Sequence, residues 1–335
     1  MTGALQLVAR EGFEPPNAMQ ADLQSAPFGR LGISPKAARC KAHPESLHQI
    51  RSTCDAASVT GMSDEQLLHL ATQLAREAGE MILERRQRGV AIADTKTSTV
   101  DVVTAADREC EQLLRERIRE LRPDDGFYGE ESDPTRSRSG VTWVVDPIDG
   151  TVNYLYGLPH YAVSIAAVEG DPAADPASFT ALAGAVFAPA LGEMYAAVRD
   201  GGATRNGKPL EIGAGPEDIA RTLVATGFSY RAQRRKLQAQ VWLALADQVR
   251  DMRRNGAASL DLCAVAAGQL DVYYEFGLKP WDWAAGALIA REAGAEVVGV
   301  SRDVRESRGM LVAGHPRIMP QLHDLLLDSL PAHLL

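Results

Sequence analysis

Leu67, Leu70, Ala71, Leu74, Ala78, Met81 and Ile82 recur three and four residues apart, the spacing that turns one face of a helix toward a core. Ser63-Asp64-Glu65-Gln66 ahead of them is a capping box, and Gly89 stops the run. A short extended stretch over 90–93 and a polar loop over 95–101 follow. A second helix opens at Thr104, where Thr104-Ala105-Ala106-Asp107 reads as a capping motif, and closes before Pro123. Apolar runs predict strands over 141–145, 162–168, 182–187, 194–198 and 222–226. Asn206-Gly207 is a hairpin turn, since both residues accept positive φ. Helices are expected over 233–250, 260–267 and 282–293, and strands over 272–276 and 296–300. Strands come in groups before helices rather than in strict alternation, which argues for an α/β protein of layered α and β elements with mixed sheets.

At 335 residues the chain suits one large domain or two packed lobes. It carries 35 Lys plus Arg against 44 Asp plus Glu, a net charge of −9. That balance is the reverse of a nucleic-acid binder's, so no nucleic-acid partner is expected. No apolar run reaches the roughly 18 residues that span a bilayer, so no membrane partner is expected either. Cys40, Cys54, Cys110 and Cys263 lack CxxC spacing, which indicates neither zinc nor a disulfide framework. A reducing, cytoplasmic location fits.

Residues 1–61 carry 6 basic and 5 acidic residues and 5 of the 18 prolines, without helical or alternating apolar period. They read as a disordered extension. Gly12-Phe13-Glu14-Pro15 can be encoded by the reverse complement of the GGTTCGAA core of a tRNA T-arm. The expectation is therefore that reading from Met1 runs through a neighbouring tRNA gene and that Met62 is the true initiator; a real disordered tail is the alternative. Residues 62–335 form the folded domain on either reading.

Three acidic clusters sit at predicted element boundaries: Gly129-Glu130-Glu131-Ser132, Asp146-Pro147-Ile148-Asp149 and Trp281-Asp282-Trp283. A buried strand can end on an acid only if something compensates the charge, and a bound cation would do so. Oxygen ligands without His or Cys favour Mg²⁺. Pro147 fixes φ and Gly150 permits a sharp turn, so Asp146 and Asp149 can face one cavity. Thr151 would then open a short helix whose first N–H groups face that cavity, as at a phosphate site. Taken singly, Asp149-Gly150 fits a turn, Asp282 an N-cap, Glu130 and Glu131 solvated loop acids, and Asp107 a capping acid. His160 beside Pro159 reads as structural.

Together, GEES at 129–132, WVVDPIDGTVNY at 143–154 and WDWAAG at 281–286 resemble the inositol monophosphatase family of lithium-sensitive, magnesium-dependent phosphatases, over residues 62–335. The resemblance implies an αβαβα sandwich of the inositol monophosphatase and fructose-1,6-bisphosphatase type, usually a homodimer, using two to three Mg²⁺ per subunit. It makes Glu130, Asp146 and the Ile148 carbonyl ligands of one metal. Asp146, Asp149 and Asp282 hold a second, and Glu130 helps a looser third. Thr151 and Asp107 orient the attacking water, with Glu130 beside them in the catalytic set. Lys96 and Asp101 belong to a mobile loop over the site. Gly150 and Thr151 amides bind phosphate, and Gly256, Ala257, Ala258 and Glu275 hold the ring. Glu130, Ile148, Asp149 and Asp282 also face the substrate. The chain departs from the family's usual GSAA in having Gly256-Ala257-Ala258-Ser259, which removes a hydroxyl at Ala257.

The implied activity is Mg²⁺-dependent hydrolysis of inositol 1-phosphate, or of a related small phosphorylated polyol, by direct in-line attack of water. Two ions about 3.5 to 4 Å apart would activate the water and stabilise the leaving oxygen. Histidinol phosphate, fructose bisphosphate and adenosine 3′,5′-bisphosphate are the rival substrates. A regulatory protein that keeps the fold without turnover is the reading from another class.

Overall fold

The computed structural model describes residues 61–89, 92–95, 102–174, 178–300 and 309–330. The expected extension before Gly61, the start of the extended stretch at 90–91, and Lys96 and Asp101 of the expected mobile loop lie outside the described residues. The chain runs α1 (Asp64–Gln87), β1 (Ile92–Thr95), β2 (Val102–Thr104), α2 (Ala105–Leu121), β3 (Gly126–Gly129), β4 (Val141–Asp149) and α3 (Thr151–Tyr156). Five strands follow: β5 (Ala162–Glu169), β6 (Thr180–Ala188), β7 (Glu193–Val198), β8 (Gly202–Arg205) and β9 (Lys208–Leu210). The second half comprises β10 (Leu223–Thr226), α4 (Ala232–Leu245), β11 (Asp251–Arg253), α5 (Ala258–Ala266), β12 (Val272–Phe276), α6 (Pro280–Glu292), β13 (Glu296–Val298), β14 (Met310–Gly314) and α7 (Met319–Ser329).

Two mixed sheets carry the fold. Seven strands in the order β3-β4-β5-β6-β7-β8-β9 are antiparallel except for the parallel pair β3 and β4. Five strands in the order β11-β10-β12-β14-β13 are parallel at one end and antiparallel at the other. On the outer face of the larger sheet, Leu67, Leu74 and Ile82 of α1 and Cys110 and Leu114 of α2 pack with Trp143, Val145 and Ile165. On its inner face Val144 and Ala166 meet Leu262 of α5 and Ala285 and Ile289 of α6, which also meet Tyr273 and Leu311 of the smaller sheet. The smaller sheet's far face packs Val241 and Leu245 of α4 and Leu322 and Leu326 of α7. The order of layers is therefore αβαβα, as the resemblance implied.

Strand alternation then decides which acids meet. Successive side chains point to opposite faces, and Val144 faces the middle layer while Val145 faces α1 and α2. Asp146 follows Val144 into the middle layer. On β12, Tyr273 faces that same layer and Tyr274 the other, so Glu275 joins it from the opposite sheet.

Several expected boundaries move. The strand expected to end at 145 continues to Asp149, with a register break between Asp146 and Asp149 that accommodates Pro147. The helix expected over 233–250 ends at Leu245, because Val249 joins the core and the Arg250 N–H bonds to the Thr222 carbonyl. Residue Thr95, expected in a loop, lies in β1. Strands β3, β11 and β14 and helix α7 were not expected. The Asn206-Gly207 turn is present, with φ of 51° and 75°, linking β8 to β9.

Gly184 of β6 sets how closely α6 approaches: a Cβ there would lie 3.0 Å from the Ala285 Cα. Backbone cannot yield as a side chain can. Gly184→Ala should thus lose about 1–3 kcal/mol to overpacking, more than the ~1 kcal/mol it gains from reduced unfolded-state entropy. A urea unfolding midpoint equal to or above that of the parent protein would contradict this.

Candidate active site

The end of β4 and the start of α3 form one backbone unit. Gly150 is the N-cap of α3 with φ 90° and ψ 38°, a left-handed conformation that glycine adopts without penalty. A Cβ there would also lie 2.9 Å from the His160 carbonyl oxygen and 3.2 Å from the Ala257 Cβ. The turn therefore needs glycine for both conformation and space. Asp146 is buried and its Oδ1 accepts the Ile148 N–H at 3.0 Å, which folds Pro147 and Ile148 around the carboxylate.

Asp149 is buried against the start of α5. Its Oδ2 accepts the Ser259 N–H at 2.7 Å and the Ser259 hydroxyl at 2.5 Å, and its Oδ1 accepts the Ala258 N–H at 3.2 Å. Burial raises its pKa, the Ser259 bonds lower it, and Asp261 raises it further. Ser259 was not expected. The hydroxyl absent at Ala257 is present two residues later, where it holds an acid instead of reaching a ring. Ala257 itself is buried with its Cβ toward Gly150 and does not line the cavity, whereas Gly256 and Ala258 do.

Asp107 is both a capping acid and a partner of Thr151. Its Oδ2 accepts the Thr104 N–H at 2.8 Å and the Thr104 hydroxyl at 2.5 Å. The Thr151 hydroxyl lies 3.2 Å from Asp107 Oδ1 and 3.1 Å from the Ile148 carbonyl. Burial pushes Asp107 up to about 6 against the opposing Thr104 bonds. One turn further along α2, buried Glu111 accepts the Glu131 N–H at 2.7 Å and the Ser132 hydroxyl, fixing the loop that carries Glu130. Burial raises its pKa too. The signal for Glu111 was its place four residues after Asp107, on the same helix face.

Asp282 is not the N-cap of α6. Lys279 is, Pro280 stands in the first turn, and the Asp282 carboxylate accepts the Lys279 N–H at 2.6 Å from the third position. Burial pushes Asp282 well above the usual carboxylate range, and Glu130, Asp149 and Glu275 push in the same direction. Glu275 accepts the Tyr273 hydroxyl at 2.6 Å and is pushed up to about 7 by burial, with Asp261 raising and Arg254 lowering it. His160 has its ring 3.8 Å from Asp261 and its carbonyl bonded by Asn153, in keeping with a structural role.

Glu130, Asp146, Ile148, Asp149, Gly150, Thr151, Gly256, Ala258, Glu275 and Asp282 all line one cavity of about 560 Å³; Asp107 lies behind Thr151. No His or Cys lines it. Glu130, Asp146, Asp149, Asp282 and the Ile148 carbonyl, with mutual repulsion at Asp282, are a donor set that fits a hard divalent cation. Among the described residues, however, no three acid, His or Cys side chains are drawn together as an ion-holding group. Asp149 and Asp282 turn oxygens to backbone N–H groups instead.

The profile of the Inositol monophosphatase family matches residues 63–333. This chain belongs to that family. It is 40% identical over 274 residues to an inositol-1-monophosphatase of Mycobacterium bovis, covering 77% of this chain and 92% of that one. It is 36% identical over 279 residues to the Nus factor SuhB of Escherichia coli K12, covering 79% and 98%. The solved structure of Mycobacterium tuberculosis SuhB superposes with a TM-score of 0.66 at 39% identity, covering 80% of this chain and 98% of that chain. An inositol monophosphatase of Thermotoga maritima gives 0.69 at 26% identity, covering 79% and 98%. No helix among the described residues is long and apolar enough to cross a membrane.

Asp107 yields a prediction with a definite sign. A carboxyl whose folded pKa is raised stabilises the fold fully below its unfolded pKa, and that contribution is lost as pH rises through the folded value. Asp107→Asn keeps an acceptor oxygen and cannot ionise. Relative to the parent, its stability in chelator should therefore rise by up to about 3 kcal/mol between roughly pH 4 and pH 7. A difference independent of pH would show that Asp107 ionises as it does in the unfolded chain.

Proposed function

We propose that this protein is a Mg²⁺-dependent phosphomonoesterase that releases phosphate from inositol 1-phosphate. The observation that carries the reading is the Thr151 hydroxyl, held between the buried Asp107 carboxylate and the Ile148 carbonyl at the edge of a cavity lined by five carboxylates. Glu130, Asp146, Asp149, Asp282 and the Ile148 carbonyl would hold the cations, with Asp146 shared between two of them. When bound, the ions supply charge that offsets the phosphate and lower the pKa of the attacking water.

The chain's own groups then have distinct tasks. Thr151 Oγ1 accepts a hydrogen bond from the water and passes its own proton toward Asp107, whose pKa of about 6 suits proton transfer near neutral pH. The Gly150 and Thr151 N–H groups orient the phosphate. Gly256, Ala258 and Glu275 border the ring. Attack in line breaks the P–O bond to the polyol, and the leaving alkoxide takes a proton from solvent. Residues 62–335 would be the catalytic unit, acting in the cytoplasm as a homodimer. Lys96 and Asp101 are assigned to its loop by resemblance only. The same chemistry on histidinol phosphate, fructose bisphosphate or adenosine 3′,5′-bisphosphate uses the same acids.

The relative named Nus factor SuhB favours a second reading, a regulatory role in addition to turnover. Retention of all four acids argues against that role alone. Phosphate release from inositol 1-phosphate, with and without Mg²⁺, separates the two. Asp149→Asn should lower Mg²⁺-dependent kcat by about 100-fold or more, of the order seen when one charge-stabilising group is removed. Near-normal turnover by the folded variant would remove Asp149 from the mechanism, and no turnover by the parent protein would remove the phosphatase reading.

A further inference from the structure

Glu130 reaches the cavity from a loop rather than from a strand or helix, since β3 ends at Gly129. What holds that loop comes from α2. The buried Glu111 carboxylate accepts the Glu131 N–H through Oε2 at 2.7 Å and the Ser132 hydroxyl through Oε1. One turn further along, Arg115 donates to the Ser132 hydroxyl at 2.7 Å and to the Asp133 carbonyl at 2.6 Å, with its guanidinium 4.4 Å from the centre of the Phe127 ring. Residues four apart share a helix face, so these two side chains grip one loop together.

The run Gly129-Glu130-Glu131-Ser132 is built around this grip. A Cβ at Gly129 would displace the Glu111 carboxylate. Glu131 offers its N–H and Ser132 its hydroxyl, and Glu130 lines the cavity. Glu111 itself does not line it. A carboxylate is costly to bury, and the hydrogen-bond donors that offset this one belong to the loop. Asp107, one turn earlier on the same helix face, holds Thr151. Helix α2 therefore ties Thr151 and the Glu130 loop to one rigid element.

We propose that Glu111 is a positioning residue for the cation site: it aims Glu130 without touching cation or substrate, and so sets how tightly a divalent cation binds. The proposal rests on the reading above for Glu130 as a cation ligand. Groups that orient a metal ligand from behind are worth about 10–100-fold in metal affinity.

Binding and turnover are read separately. Mg²⁺ alone is titrated calorimetrically into the parent protein, Glu111→Ala and Glu111→Gln, and phosphate release from inositol 1-phosphate is then measured across a range of Mg²⁺ concentrations. Glu111→Ala should weaken Mg²⁺ binding about 10–100-fold. The Mg²⁺ concentration for half-maximal turnover should rise by a similar factor, with kcat at saturating Mg²⁺ much less affected. A merely damaged fold would do the reverse, lowering kcat and leaving the Mg²⁺ requirement in place. Glu111→Gln keeps an acceptor for the Glu131 N–H and should recover most of the affinity. Should Glu111→Ala not fold, Ser132→Ala, which removes one of the two loop bonds, should weaken Mg²⁺ binding in the same direction. Parent-like Mg²⁺ affinity in the folded Glu111→Ala variant, or in Ser132→Ala where it takes that variant's place, would overturn the positioning role. So would a Gln variant no better than the Ala variant, or no Mg²⁺ binding by the parent protein. No phosphate release by the parent protein, with Mg²⁺ affinity falling from parent to Gln to Ala, would overturn the phosphatase reading and leave the positioning role standing.

Discussion

Mutual repulsion among carboxylates is the constraint around which the site is built. Glu130, Asp146, Asp149 and Asp282 line one cavity, and Asp282 is pushed upward first by burial and then by Glu130, Asp149 and Glu275. Acids placed this way need opposing charge or donors. The chain supplies donors: the Ala258 and Ser259 N–H groups and the Ser259 hydroxyl to Asp149, Thr104 and Thr151 to Asp107, the Lys279 N–H to Asp282. The remaining imbalance is what a divalent cation would relieve.

The layered fold determines which acids share that wall. Asp146 and Glu275 enter the middle layer from opposite sheets, and α5 and α6 occupy the space between. Gly184 brings α6 against β6, and Gly150 brings the β4 turn against the 256–257 backbone. The first sets the distance of α6 from β6, and the second places the start of α3 beside the residues that lead into α5. The position of Asp282, one turn before Ala285 on α6, thus depends on the packing of α6 against β6.

The local part of the site was legible in the sequence because Pro147 fixes φ and Gly150 permits the left-handed turn within a few residues. The Ser63 capping box and the Asn206-Gly207 turn were legible for the same reason. What required tertiary structure was harder to read. Strands β3, β11 and β14 are three to five residues long and exist by pairing with neighbours. The clasp between Ser259 and Asp149 joins residues 110 positions apart, and no spacing rule reports it.

The account depends most on the acid wall taking up divalent cation. Its direct test is calorimetric titration of Mg²⁺ at about pH 6, in buffers of differing ionisation enthalpy, on the parent protein and on Asp146→Asn. Asp149 and Asp282 are raised by burial, so Mg²⁺ should bind saturably with release of protons, and Asp146→Asn should abolish or severely weaken that binding. Saturable Mg²⁺ binding of equal affinity in the variant, or no binding by the parent protein, would contradict the central claim.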